Sequence, residues 1–211
     1  MEKTAPQCAK CTVKRCRTLE KDKKLPSFCP TKNYPDIVKE SVERMKTDSE
    51  VRAINEAWIE LMNTVSQNRW NWTRVDEIIE YSKIRRIRKI GIASCFGLLY
   101  EARLLTNILE EHDFDVVSVS CVAGEVTPED VDMVREGIFC NPIMQAGVLN
   151  QERTELNIML GLCVGHDILF LRNSKADVTP LVVRDGALGH NPAAALYLSE
   201  SYYRNRFLKK S

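Results

Sequence analysis

The chain has 211 residues, of which 44% are hydrophobic and 28% charged, and it carries a net charge of +1 at pH 7. This length suits one hydrophobic core with a small appended segment, and the near-neutral charge excludes a protein that is basic throughout and coats nucleic acid. No apolar stretch approaches the roughly 18 residues of a membrane span, and the N-terminus lacks the apolar core of a signal peptide. We therefore expect a cytoplasmic protein without a membrane-spanning segment, in which the eight cysteines stay reduced.

Four of the eight cysteines lie in the first 32 residues, which carry a net charge of +6 and too few large apolar side chains to build a core. A metal held by thiolates supplies folding free energy that burial cannot, on the order of 10 kcal/mol for structural zinc. A metal-binding knuckle is therefore predicted over residues 1–32, with zinc favoured and an iron–sulfur cluster as the alternative. Its predicted ligands are Cys8, Cys11, Cys16 and Cys29.

Residues 33–86 show helical periodicity, with apolar side chains every three or four positions in three successive stretches. They predict three amphipathic helices packed on the body of the protein, and Thr73 is the expected N-cap of the third. Trp70 and Trp72, which precede that helix, are interpreted as packing residues.

From residue 87 onward, strand patterns alternate with helical patterns, which is typical of a parallel sheet covered by helices. The predicted fold class is α/β, with a parallel sheet of about four strands in residues 87–211 and a single folded unit over 33–211. Apolar runs place the strands at residues 89–94, 115–121, 156–162 and 179–184. Helices are expected over 97–111, from Thr127 onward, after Asp167, and from Asn191 to Phe207.

Because the carboxyl ends of parallel strands lie at one edge of a sheet, reactive residues that follow the strands are expected to converge on one crevice. Cys95, Cys121 and Cys163 lie at the ends of the first three predicted strands, and His190 follows the fourth. Cys140 joins this group because it directly precedes an Asn-Pro pair, as His190 does, and the start of a helix stabilises negative charge on a thiol.

Proton-transfer groups accompany the thiols in the segment Gly161-Leu-Cys-Val-Gly-His-Asp167. Imidazole and carboxylate groups suit acid–base work near neutral pH. The catalytic candidates are therefore Cys140, Cys163, His166, Asp167 and His190. The candidate ligands of a second metal or an iron–sulfur cluster are Cys95, Cys121, Cys140 and Cys163.

Several motifs together resemble one family over nearly the whole chain: the N-terminal cysteines, Gly91-Ile-Ala, Cys140-Asn-Pro-Ile, Gly161-Leu-Cys-Val-Gly-His-Asp and Gly189-His-Asn-Pro-Ala-Ala-Ala-Leu-Tyr. The chain is similar to the bacterial and archaeal family called domain of unknown function 1847. This resemblance implies metal ligation by the four N-terminal cysteines, which are described in that family as a candidate zinc site. It assigns no reaction.

The leading hypothesis is a metal-binding protein whose crevice holds an iron–sulfur cluster or second metal for redox or lyase-type chemistry, acting on a small-molecule substrate or with a redox partner. Two alternatives stay open: a metal-free thiol redox enzyme with Cys140 as its nucleophile, and a non-catalytic sensor or interaction module whose knuckle docks a partner. Nucleic acid is not an expected partner, because a zinc thiolate site offsets part of the positive charge of the head and no aromatic side chains interleave with its basic residues.

Overall fold

The computed structural model describes residues 4–65, 71–134 and 136–208. The chain divides into two compact units, residues 1–60 and residues 61–211. The boundary after Glu60 falls inside the segment predicted to be helical, and the packing of that segment on the body stays a prediction. Trp70 lies outside the described residues, whereas Trp72 is half-buried.

The first unit is built almost without a core. Ala57 is the one buried side chain among its described residues, 4–60. After a short 3-10 turn at Cys8–Lys10, its helices are α1 (Arg15–Thr18), α2 (Pro30–Asn33), α3 (Pro35–Thr47) and α4, which spans Ser49–Val65. Prolines at the first positions of α2 and α3 suit helix starts, where no N–H is needed. With so little burial, packing alone contributes little to the stability of this unit.

The second unit contains a parallel sheet of four strands in the order β2-β1-β3-β4, which confirms the predicted α/β fold. The strands are β1 (Lys89–Ser94), β2 (Asp115–Ser120), β3 (Leu156–Leu160) and β4 (Asp177–Val182). The helices are α5 (Arg74–Ile84), α6 (Leu99–Glu111), α7 (Pro142–Gln151), α8 (His166–Asn173), α9 (Pro192–Tyr197) and α10 (Arg204–Phe207).

Local sequence explains where several elements begin. Thr73 is the N-cap of α5, as predicted, and forms a capping box with Asp76. The β1 and β3 strands lie in the middle of the sheet and are buried on both faces, as expected for strands covered by helices on both sides. Pro180 lies in β4, an edge strand, where the missing N–H costs no ladder hydrogen bond on the open side.

The core consists of two clusters, one on each face of the sheet. One cluster joins residues of α5 and α6 to β1 and β3, with Ile90, Ile92 and Ile158 fully buried. The other joins α7 and α8 to the opposite face through Leu149, Met159 and neighbouring side chains, and it includes Cys95 and Cys121. The body is therefore a layer of strands between two layers of helices.

Two helix predictions are wrong. The segment from Thr127 forms only a 3-10 turn, Glu129–Val131, because Asp132 adopts a left-handed conformation that ends it. The expected long terminal helix breaks after Tyr197 and resumes only at Arg204. None of residues 191–208 is buried, so no tertiary packing holds a long helix together, and the hydroxyl of Ser201 competes for the carbonyl of Leu198.

A buried polar network joins β3 to the residues before it and after α8, and it requires a glycine in β1. Asn157, fully buried, accepts a hydrogen bond from the Thr154 hydroxyl at 2.7 Å and donates one to the Ser174 hydroxyl at 2.9 Å. Gly91 pairs with Asn157 in the sheet, and a Cβ at Gly91 would overlap the Asn157 Oδ1 atom. The glycine therefore leaves the space that the Asn157 amide occupies.

We expect Gly91→Ala to lower the free energy of unfolding by about 3 kcal/mol, because it displaces a buried amide from its partners and overpacks the core. Gly147 in α7 is the matched control, since a Cβ there meets nothing within 4 Å. Gly147→Ala is expected to raise the free energy of unfolding by about 0.5–1 kcal/mol. Urea unfolding of both variants measures the difference, and equal effects at the two glycines would contradict this account.

Candidate thiol site at the carboxyl edge of the sheet

The strand order places a topological switch point between β1 and β3. From β1 the chain passes to β2 on one side, and it then crosses to β3 and β4 on the other side. Open parallel sheets bind ligands at the carboxyl edge beside such a point. The segments that follow the four strands meet at this edge, so the residues at the strand ends decide its chemistry.

Cys95 follows β1 and is held at the switch point by both neighbouring segments. Its backbone N–H donates to the carbonyl of Leu160 at the end of β3, at 2.9 Å. Its side chain is only 8% exposed, and the Sγ atom accepts a hydrogen bond from Nη1 of Arg184 at 2.9 Å. Arg184 follows β4, so this contact reaches across the end of β3 from the edge strand.

Cys121 follows β2 and lies in the same buried cluster as Cys95. Its N–H donates to the carbonyl of Ser94 at 2.9 Å, and its Sγ accepts the N–H of Phe96 at 3.3 Å. Burial raises the pKa of the Cys121 thiol from its ordinary 9.0 to about 12, and the nearby thiols of Cys140 and Cys95 act in the same direction. Cys121 is therefore a neutral thiol at neutral pH.

Cys140 completes a group of three thiols. It is half-buried and packs against the cluster that contains Cys95 and Cys121. The next residue, Asn141, donates its N–H to the Cys121 carbonyl at 2.7 Å and caps α7 by accepting the Met144 N–H at 2.9 Å. Cys140 lies immediately before a capped helix, as predicted. The hydrogen bond from Asn141 brings the backbone beside Cys140 close to Cys121.

Two residues at this edge were missed by the sequence analysis. Arg184 was interpreted as part of the fourth strand, but β4 ends at Val182 and the arginine follows it, the same end-of-strand position that identified the cysteines. Gln145 is fully buried and its Nε2 donates to the carbonyls of Ser94 at 3.1 Å and Val119 at 2.8 Å. The sequence feature that could have identified Gln145 is a polar residue on the otherwise apolar face of α7.

Cys163, His166 and Asp167, the candidates in the Gly161 to Asp167 segment, are not members of the cluster that contains Cys95 and Cys121. Cys163 is half-buried and is not a member of the thiol cluster; its carbonyl accepts the N–H groups of His166 and Asp167. The Asp167 carboxylate accepts the N–H of Gly165 at 3.1 Å and that of Ile168 at 2.7 Å, so it stabilises the loop locally. The Nδ1 atom of half-buried His166 is enclosed without a hydrogen-bond partner in the described chain.

His190 belongs to a tight loop after β4. Its backbone adopts a left-handed conformation with φ of 64°, and its Nδ1 accepts the N–H of Asp185 at 3.3 Å. The Asp185 carboxylate in turn accepts the N–H groups of Ala187 and Leu188. Nδ1 is therefore used within the loop, and Nε2 is the ring nitrogen left for other contacts.

The four N-terminal cysteines lie in the first unit. Cys8 begins the 3-10 turn and Cys11 directly follows it, Cys16 lies in α1, and Cys29 is the N-cap of α2. Burial of the Cys29 thiol opposes ionisation, but hydrogen bonds from the Lys32 N–H and from Thr31 outweigh it and lower the pKa of Cys29. Such N–H donors stabilise a thiolate, the form that binds metals.

Neither set of cysteines is a finished metal cage. Within residues 4–65, 71–134 and 136–208, no three His, Cys, Asp or Glu side chains already form a group able to hold a metal ion. The donor chemistry of both sets nevertheless suits soft metals, because thiolates are the ligands that zinc and iron–sulfur clusters prefer. Over the same ranges, no helix has the length and apolar character needed to cross a membrane.

The fold and the site define a parallel α/β protein with two buried thiols and one half-buried thiol at the switch point of its sheet. The chain belongs to the family described as "Protein of unknown function (DUF1847)", whose model matches residues 29–181, which confirms the resemblance seen in the motifs. It is 36% identical over 209 residues to the uncharacterized protein MJ0455 of Methanocaldococcus jannaschii, with 96% of this chain and 98% of that protein covered. No solved structure matches the chain.

The raised pKa of Cys121 predicts a loss of stability at alkaline pH. The stabilising contribution of the neutral thiol is complete below the unfolded pKa of 9.0 and is lost as pH rises toward the folded pKa of about 12. We expect the free energy of unfolding to fall less steeply above about pH 9 in Cys121→Ala, the difference reaching at most about 1.4 kcal/mol per pH unit.

Urea titrations of reduced, metal-free protein between about pH 8 and about pH 10.5 measure this slope. Cys163→Ala is the matched control, because Cys163 lies outside the cluster, and it is expected to keep the wild-type slope. Identical slopes in wild type and Cys121→Ala would show that the thiol is not held in its neutral form.

Proposed function

We propose that this is a cytoplasmic, thiolate-based metal-binding protein with two separate sites. The N-terminal cysteines hold a structural metal, zinc in the first place and an iron–sulfur cluster as the alternative. Cys95, Cys121 and Cys140 hold a second soft metal or an iron–sulfur cluster at the carboxyl edge of the sheet. The observation that carries the proposal is the convergence of these three thiols, from segments far apart in the chain, on the switch point.

The first site is supported by the lack of a hydrophobic core around it, because a segment without buried side chains needs another source of stability. None of the described residues from 4 to 34 is buried, so the hydrophobic effect contributes little there. The polar groups of Thr31 and Lys32 at the start of α2 lower the pKa of the Cys29 thiol, which favours its thiolate. Four thiolates would contribute folding free energy on the order of 10 kcal/mol through a structural zinc ion.

The second site is supported by the donors that face its sulfur atoms. The Phe96 N–H points at Cys121 and the Arg184 guanidinium at Cys95, and N–H donors of this kind orient metal-bound thiolates and offset their charge. A metal bound by three cysteines keeps a position for a substrate, and when bound it supplies Lewis-acid or electron-transfer chemistry. Arg184 would then bind and orient an anionic group of that substrate.

Other body residues fill supporting roles in this proposal. His166 and His190 supply imidazole nitrogens, through the Nδ1 atom of His166 and the Nε2 atom of His190. Cys163, in the loop before α8, and Asp167, in the first turn of α8, are assigned to the local structure of this segment rather than to the metal. Gln145 holds the ends of β1 and β2 together behind the thiols.

The first site is tested by Cys29→Ser. We expect the variant to lose one tightly bound metal equivalent and residues 4–34 to become sensitive to protease, because the metal replaces the missing core. Metal analysis after anaerobic purification, together with limited proteolysis, measures both effects. Cys163→Ser is the matched control with unchanged metal content, and a Cys29→Ser protein that keeps full zinc and protease resistance would refute the first site.

The second site is tested by metal loading of the reduced protein under anaerobic conditions. Wild type is expected to bind zinc, or iron with sulfide, beyond the equivalent held by the head, and Cys140→Ser to lose this additional metal while keeping the first. Elemental analysis and the absorption of thiolate-to-metal charge transfer measure the result. No iron or sulfide, and no zinc beyond one equivalent, in the wild type would exclude the second metal.

A further inference from the structure

Cys121 and Cys140 have the arrangement of a reversible dithiol. Both side chains belong to one packed cluster, and the hydrogen bond of 2.7 Å from the Asn141 N–H to the Cys121 carbonyl places the two backbones side by side. The Cys140 thiol also contacts the Cys121 thiol, and such a contact between side chains is the starting geometry for a disulfide. The two cysteines are 19 positions apart in the chain, so this proximity is a product of the fold.

The three thiols differ in accessibility. The side chains of Cys121 and Cys95 are 3% and 8% exposed, whereas that of Cys140 is half-buried. A reagent from solvent therefore reaches Cys140 first. The accessible thiol and the buried thiol thus have distinct positions suited to an initial and a resolving role.

We infer that Cys140 and Cys121 form a disulfide in response to a hydroperoxide and that this bond controls the metal-binding capacity of the crevice. The control of metal binding rests on the proposed function, whereas the disulfide itself does not. Once the bond forms, Cys95 remains as the only thiol of the group, and a single thiolate is too few to hold a soft metal ion.

The reaction proceeds in two balanced steps. The Cys140 sulfur attacks one oxygen of hydrogen peroxide, an S–O bond forms, the O–O bond breaks, and hydroxide leaves and takes up the Cys140 proton. The Cys121 sulfur then attacks the Cys140 sulfur, the S–S bond forms, the S–O bond breaks, and the oxygen leaves as water with the Cys121 proton. The thiols lose two electrons and two protons, and peroxide is reduced to two waters. A small dithiol restores both thiols by exchange.

The test uses the full chain with Cys8, Cys11, Cys16 and Cys29 replaced by serine, so that only the body thiols react. Reduced, metal-free protein receives one equivalent of hydrogen peroxide, followed by alkylation, digestion without reductant and mass spectrometry. We expect a peptide pair joined through Cys121 and Cys140 that disappears with dithiothreitol. Accumulation of sulfinic acid on Cys140 without a cross-link, or a main cross-link that involves Cys95, would overturn the inference.

Two matched variants separate this chemistry from general oxidation. Cys163→Ser removes a half-buried thiol outside the cluster and is expected to give the same cross-link yield as its parent. Cys140→Ser is expected to give no cross-link and an unchanged circular dichroism spectrum, since its side chain is only half-buried. A cross-link between Cys121 and any other residue in Cys140→Ser, at the parental rate, would contradict the assigned roles.

Metal loading of the oxidised and reduced forms distinguishes this inference from the proposed function. The oxidised protein is expected to bind no metal in the crevice, and reduction is expected to restore binding. A cross-link in a protein that binds no crevice metal in either form would remove the proposed metal centre and leave the dithiol intact. Equal metal binding in both forms would overturn the control of metal by the disulfide.

Discussion

The parallel hydrogen bonding of β1 to both of its neighbours is the interaction on which the thiol site depends. This bonding continues one residue beyond the strands, because the Cys95 N–H donates to the Leu160 carbonyl and the Cys121 N–H donates to the Ser94 carbonyl. Both cysteines are therefore fixed in register at the strand ends rather than free in loops. Their side chains turn to the face covered by α7 and α8, where Cys140 packs against them.

This edge also concentrates polar groups that the described chain leaves without hydrogen bonds. Four such atoms are Oγ of Ser94 at the end of β1, Oγ of Ser120 at the end of β2, Oε1 of Gln145, and Nδ1 of His166 at the start of α8. All four are enclosed and have no hydrogen-bond partner in the described chain. A buried polar group without a partner lowers the free energy of unfolding by about 1–3 kcal/mol, so these groups do not contribute to stability. Thiols are tolerated in such a place because sulfur is weakly polar. The unpaired polar groups and the thiols together mark this edge as the part of the body suited to chemistry.

The two units are stabilised in different ways. Residues 61–211 form a compact unit that buries two apolar clusters on either side of a sheet. The described residues of the first unit bury only Ala57, and four of the eight cysteines lie there. In the proposed function, cysteines of the first unit would stabilise it by binding a metal. Cysteines of the second unit would instead serve reactivity.

Periodicity and end-of-strand chemistry in the sequence were sufficient to predict the α/β class, the four strands and the positions of Cys95 and Cys121 at strand ends. The central strands β1 and β3 are buried on both faces and give apolar runs, whereas the edge strands β2 and β4 are recognisable by their β-branched residues. Helical periodicity predicted one long helix at the end of the chain, but helix length depends on tertiary packing. Residues 191–208 include no buried side chain, and they form only short helices. Only the folded chain decided that Cys140 joins the cluster while Cys163 does not, and that Arg184 contacts Cys95. The physical reason is that such contacts depend on the order of strands in the sheet and on loop paths, which are long-range properties without a local sequence pattern.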